Sequence, residues 1–123
     1  MKNSSLTKAI SYKDFKKEVL DDYKTIIISR EASLLGRKEV LSGKAKFGIF
    51  GDGKELPQVA MAKVFEKGDF RSGYYRDQTF MFSIDELTVQ QFFAGLYANT
   101  NFDEEPMSGG RQMGSHFLSL IHI

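Results

Sequence analysis

The sequence contains no cysteine, which excludes disulfides, thiolate metal sites and cysteine nucleophiles. It has only two histidines, His116 and His122. A lone histidine is more often structural than catalytic, whatever its titration range. There is no excess of charge of one sign. Seventeen Lys and Arg against 16 Asp and Glu leave a net charge of +1, which gives no support for a nucleic-acid or anionic-membrane partner. No apolar stretch approaches the roughly 20 residues of a membrane helix. The start, MKNSSLTKAISYKD, lacks the apolar run of a signal peptide. A cytoplasmic protein is expected. Internal repeats and low-complexity segments are absent.

What remains is the composition of a globular domain. With 123 residues, 41% hydrophobic and 27% charged, the chain is long enough for one domain with a real core. Eleven Phe and five Tyr imply large apolar faces that seek a partner surface.

The first ten residues are polar and are expected to be disordered. Ser11 stands three residues before Asp14, a weaker form of the capping box. After it Tyr12, Phe15, Val19, Tyr23, Ile26 and Ile27 recur at spacings of three and four, one apolar stripe on a helix. The period predicts a helix from Tyr12 to Leu41, with a bend near Gly36 and Gly43 at its C-terminal cap. Residues 44–50 read as an extended connection, and Gly51-Asp52-Gly53-Lys54 as a turn. Pro57 fits the first turn of a second helix, which Gly68 ends. Residues 70–75 read as extended. Ser83-Ile84-Asp85-Glu86 has the form of a capping box, so a further helix is expected from Ile84 to Asn99. Residues 101–114 read as a loop, acidic at first and then rich in glycine.

The densest chemistry lies at Gly73-Tyr74-Tyr75-Arg76-Asp77. Arg offers a planar fork of donors that matches phosphate or carboxylate oxygens, and a Tyr hydroxyl adds one more. Together they form a candidate anion clasp. Taken alone, the same residues read first as surface charges beside core tyrosines, because Arg is mostly exposed in general. The glycines of residues 108–114 permit close backbone approach to a ligand; taken alone, this stretch is an ordinary loop. No phosphate-binding Gly-Lys-Ser/Thr pattern is present.

Three blocks in order sharpen this reading: Gly51 to Ala60 (GDGKELPQVA), Gly73 to Asp77 (GYYRD) and Gly110 to Phe117 (GRQMGSHF). In combination they closely resemble the alpha part of the thiamine diphosphate-dependent 2-oxo acid dehydrogenases. The branched-chain type is nearest, because its loop reads Gly-Arg-Gln-Met-x-x-His, and the form with fused alpha and beta parts is most similar. The resemblance covers roughly residues 12–117. It implies an α/β thiamine diphosphate-binding fold, of which this chain is a mostly helical N-terminal fragment over residues 11–117. It implies that Tyr75 and Arg76 bind the cofactor diphosphate. Arg111, Gln112 and His116 fall on the loop bordering the substrate channel, with His116 as the catalytic candidate.

The same resemblance implies oxidative decarboxylation of a 2-oxo acid with acyl transfer to a lipoyl group. The expected cofactors are thiamine diphosphate and magnesium, and the expected partners are the beta part and the lipoyl acyltransferase component, in an oligomer. The family's magnesium motif, a Gly-Asp-Gly followed by Asn, lies downstream of the Arg-Gln-Met loop, so the ligands are expected outside this chain. Gly51-Asp52-Gly53 is a turn and helix start instead, since residues 78–82 include no Asn. Residues 118–123 do not continue the family pattern and read as a non-native tail similar to a translated sequencing adapter. A reading of a different class is a non-catalytic helical module that docks its apolar faces on a partner.

Overall fold

The computed structural model describes residues 10–112; the expectations for residues 1–9 and 113–123, the tail and His116 among them, lie outside it. Among the described residues the order is α1 (Tyr12–Leu41), α2 (Glu55–Ala62), α3 (Gln78–Ser83) and α4 (Val89–Leu96). The helical part of the expectation holds. The described residues carry no strand, so the sheet of an α/β fold is not found among them.

The ends of α1 fall where the sequence places them. Ser11 Oγ accepts from Asp14 N at 3.2 Å, satisfying one of the free amides of the first turn. Beyond Ser42, Gly43 adopts φ 77°, the left-handed conformation that closes a helix. The helix runs unbroken through Gly36, where no bend is needed. An added Cβ there would lie 2.5 Å from the Phe50 ring, so Gly36 serves close packing.

The face that α1 buries differs from the expected stripe. Tyr12, Phe15, Val19, Tyr23 and Ile27 are exposed, while Ser29, Ala32, Ser33, Gly36 and Glu39 are buried. The reason is steric and polar together. Small side chains let α3 approach closely, and their hydroxyls are matched one by one. Ser29 Oγ meets Thr79 Oγ1 at 2.6 Å, Gln78 Nε2 donates to Ser33 Oγ at 2.6 Å, and Ser33 Oγ donates to Ser29 O at 3.0 Å. Buried polar groups are tolerated when paired in this way.

The apolar core lies beside this seam. Ala32, Phe80, Met81, Leu87 and Phe92 are buried together, with Phe50, Phe65, Phe82 and Phe93 packed around them. Phe65 meets Phe80 edge to face at 5.1 Å between centroids, a favoured geometry for aromatic pairs. Arg71, over the Phe80 ring at 5.0 Å, closes one side and donates to Asp77 at 2.5 Å.

The helix predicted from Ile84 to Asn99 starts late, at Val89, and a short helix that the sequence reading did not expect precedes it. Residues 78–83 form α3, Asp85 takes φ 60°, and α4 starts after Thr88. Thr88 and Gln91 form the true capping box, with Gln91 N donating to Thr88 Oγ1 at 3.1 Å and Thr88 N to Gln91 Oε1 at 2.9 Å. Ser83 does not cap because it is the last residue of α3, with its hydroxyl donating back to Thr79 O at 2.7 Å, and no helix begins directly after it.

Candidate functional site

The site is built on the turn after residue 50. Lys54 N donates to Gly51 O at 3.1 Å, and Gly53 takes φ 90°. The turn feeds α2, whose first residue, Glu55, is buried. Arg30 reaches across from α1 and grips Glu55 with two donors, Nε at 2.5 Å and a terminal nitrogen at 2.9 Å. Gly53 N adds a bond at 3.0 Å. The Arg30 bond, aided by these amides against the opposing effect of burial, pulls the Glu55 carboxyl down to about 2. Asp52, in the middle of the Gly-Asp-Gly triplet, pairs with Arg37 at 2.6 Å.

This turn holds the Tyr-Arg segment from below. A Cβ on Gly51 would lie 2.4 Å from Arg76 O, so only glycine allows the two backbones this close. From α2, Gln58 Nε2 donates to Arg76 O at 2.9 Å, while its Oε1 accepts from Phe80 N at 3.0 Å. Gln78 Oε1 accepts from Gly51 N at 3.3 Å. On the far side Asp77 accepts from Tyr74 N at 2.9 Å, and Asp77 N donates to Tyr74 O at 3.0 Å, closing the turn.

Within this frame the side chains stack. The Tyr74 and Tyr75 rings lie 4.0 Å apart, and Tyr74 OH donates to Tyr75 OH at 2.5 Å. That bond raises the Tyr74 hydroxyl above its ordinary value, and partial burial adds to the effect. The Arg76 guanidinium lies over the Tyr75 ring at 5.5 Å, a cation–π distance. Its Nε is buried and has no hydrogen-bond partner, an uncommon state for a charged donor. Arg76 lines an open cavity of about 450 Å³ with Arg37, Val40, Gly48, Phe50 and Asp52. Two guanidinium groups and one carboxylate therefore face a single cavity, with cation in excess.

Arg111 and Gln112 sit on a separate loop, both exposed. Their backbone amides donate to Ser108 Oγ at 3.1 and 3.0 Å, and the Arg111 guanidinium lies over the Phe102 ring at 5.5 Å. The structure thus brings Tyr75 and Arg76 together and places Arg111 and Gln112 on a second, locally tied element. Among the described residues no group of three or more Asp, Glu or His is arranged to hold a metal ion, and no helix is long and apolar enough to cross a membrane.

No family model matches the chain, and no solved structure matches it. It is 32% identical over 105 residues to the 2-oxoisovalerate dehydrogenase subunit alpha of Bacillus subtilis. The chain is distantly related to that alpha subunit. The match covers 81% of this chain and 29% of the relative, so the chain spans under a third of the relative's length.

Sequence reasoning missed Gln58, Gln78 and Arg37, which carry the frame of the site. Two glutamines flanking the Tyr-Arg segment, one in each short helix, were the available signal. An amide both donates and accepts, so it can bridge two backbone groups where a carboxylate cannot.

Proposed function

We propose that this chain corresponds to the N-terminal part of the alpha half of a 2-oxo acid dehydrogenase of the branched-chain type, and that Arg76 and Tyr75 hold the diphosphate of thiamine diphosphate. The observation that carries this reading is the Arg76 guanidinium, with a buried Nε lacking a partner, in the wall of a cavity that Arg37 also faces. A charged donor left unmatched in a closed protein is costly. An anion in the cavity would match it, and a diphosphate suits the planar fork. The distant relation to a 2-oxoisovalerate dehydrogenase alpha subunit supports the same assignment. The residues present fit the anionic end of the cofactor. Asp52 does not oppose this, because Arg37 neutralises it.

In this reading Gly51 and Gln58 hold the Arg76 backbone, Tyr75 supplies a hydroxyl and a ring face, and Arg76 balances phosphate charge. Bound thiamine diphosphate supplies the electron sink for decarboxylation of the 2-oxo acid. Arg111, Gln112 and His116 border the substrate channel, with His116 in a catalytic role. Magnesium ligands lie outside the described residues. The helices lead into an α/β domain, and the beta part supplies the other face of the site. The acyl group passes to the lipoyl acyltransferase component of an oligomeric, cytoplasmic complex.

The test is activity against thiamine diphosphate concentration, at saturating magnesium and substrate, in the alpha chain assembled with its beta part. Arg76→Ala removes a charge-assisted bond of roughly 1.5–3 kcal/mol, so the half-saturation should rise about ten- to hundredfold. Arg76→Lys should recover part of this, keeping charge but not the fork. Tyr75→Phe should cost less, about tenfold at most. High cofactor concentration should rescue all three. An unchanged half-saturation in Arg76→Ala would remove the clasp from the proposal.

A further inference from the structure

We infer that Glu105 and Ser108 are the positioning residues that set the backbone of Arg111 and Gln112. This rests on the reading of that loop as the border of the substrate channel. Glu105 is buried, with 4% of its surface exposed, although it belongs to an acidic, loop-forming stretch. Its carboxylate accepts from Met107 N at 3.2 Å, and from Ser108 N, Ser108 Oγ and Gly110 N at 2.9 Å each. Burial acts to raise its pKa, but the Gly110 amide, the Ser108 hydroxyl and the remaining amides together hold it below the usual carboxylate value. Converging backbone amides make an anion-binding nest. Here the anion is the loop's own carboxylate. The glycine-rich stretch is therefore filled from within, and the amides of residues 107, 108 and 110 are not on offer to a phosphate.

The second half of the device is Ser108. A hydroxyl has one proton and two lone pairs. Its proton goes to Glu105, and its lone pairs take the amides of Arg111 at 3.1 Å and Gln112 at 3.0 Å. Its hydrogen-bonding capacity is wholly committed, and the commitment runs from a buried charge to the two backbone positions the sequence singles out. Gly110 anchors the loop against the end of α4. It takes φ 76°, and a Cβ there would lie 2.4 Å from Ala98 O. The backbone is thus fixed while the Arg111 and Gln112 side chains stay exposed.

The measurement is amide hydrogen exchange by NMR on this chain, followed by kinetics in the assembled enzyme. In Ser108→Ala, exchange at Arg111 and Gln112 should quicken about tenfold, as for loss of an ordinary hydrogen bond. Met107 and Gly110, held by Glu105, should keep their protection. Ser108→Thr, which retains the hydroxyl, should restore the wild-type rates. Glu105→Gln should quicken all five amides from residue 107 onward that bond to Glu105 or Ser108, leaving α1 to α3 unchanged. Unchanged exchange at Arg111 and Gln112 in Ser108→Ala overturns the inference, as does an equal rise throughout the chain. In the assembled enzyme Ser108→Ala should raise KM for the 2-oxo acid several-fold, with the thiamine diphosphate half-saturation unmoved and Ser108→Thr recovering. Faster exchange with an unchanged KM would uphold the positioning role and overturn the assignment of this loop to the substrate channel.

Discussion

Gly51 shows how one residue can decide where a functional side chain stands. Its missing Cβ admits Arg76 O to a distance no other residue permits. Gly51→Ala should push the Tyr74–Asp77 turn outward and cost roughly 1–3 kcal/mol, as overpacking against backbone does. Urea denaturation would measure it; a midpoint equal to wild type would show that the turn yields freely. Glu55 acts through charge instead. Its folded-state carboxyl is held at about 2 by Arg30, below the ordinary carboxylate value of about 4.3. A depressed pKa contributes stability that is present above the unfolded value and is lost as pH falls through the folded one. Glu55→Gln should therefore lower the melting temperature at neutral pH, at a cost of roughly 1.5–3 kcal/mol. The gap to wild type should narrow between about pH 4.5 and 2. A gap that stays constant over that range would contradict this account. Glu39 and Glu105 are also held below their ordinary values, Glu39 chiefly by the Tyr97 hydroxyl and Glu105 by the loop amides. Acid should weaken these ties in the same direction.

At the scale of elements, boundaries were legible where a local side chain makes them. Ser11, Leu41 and Gly43 fall in the structure where spacing and capping chemistry place them. The Ser83 box failed because two neighbouring signals compete there. Ser83-x-x-Glu86 and Thr88-x-x-Gln91 both have the form of a capping box, and only packing chooses between them. Leu87 is buried in the core, which requires the chain to turn at Asp85 before α4 can begin. Thr88→Ala should thus cost about 1 kcal/mol, while Ser83→Ala should stay within about 0.5 kcal/mol. Thermal unfolding of the two variants would compare them, and the reverse order would place the functional cap at Ser83. The stripe on α1 was misread for a related reason. Periodicity identifies the helix, but it cannot tell which neighbour the helix will meet.

For the whole molecule, the exposed apolar surface is the dominant feature. Tyr12 is 81% exposed, and Phe15, Val19, Leu20 and Tyr23 follow it along α1. Leu56, Val64 and Phe70 add to this surface elsewhere. Patches of this kind usually mark association surfaces. The chain should self-associate at high concentration in size-exclusion chromatography, with the apparent mass falling on dilution. Tyr12→Ser combined with Phe15→Ser should reduce the association without lowering the melting temperature, since neither side chain packs in the core. A sharp monomer peak at every concentration would contradict this expectation.

The sequence by itself determined the helical period of α1, its caps, the turn at residues 51–54 and the Tyr-Arg pair as a candidate clasp. Each follows from side chains within a few positions of one another, so no tertiary information is needed. The buried face of α1, the late start of α4, and the frame of Gln58, Gln78 and Arg37 were decided by tertiary structure alone. These depend on which distant groups must find hydrogen-bond partners once water is excluded. Ser29 and Thr79 stand fifty positions apart, and only their shared burial makes a polar seam more favourable there than the apolar stripe beside it.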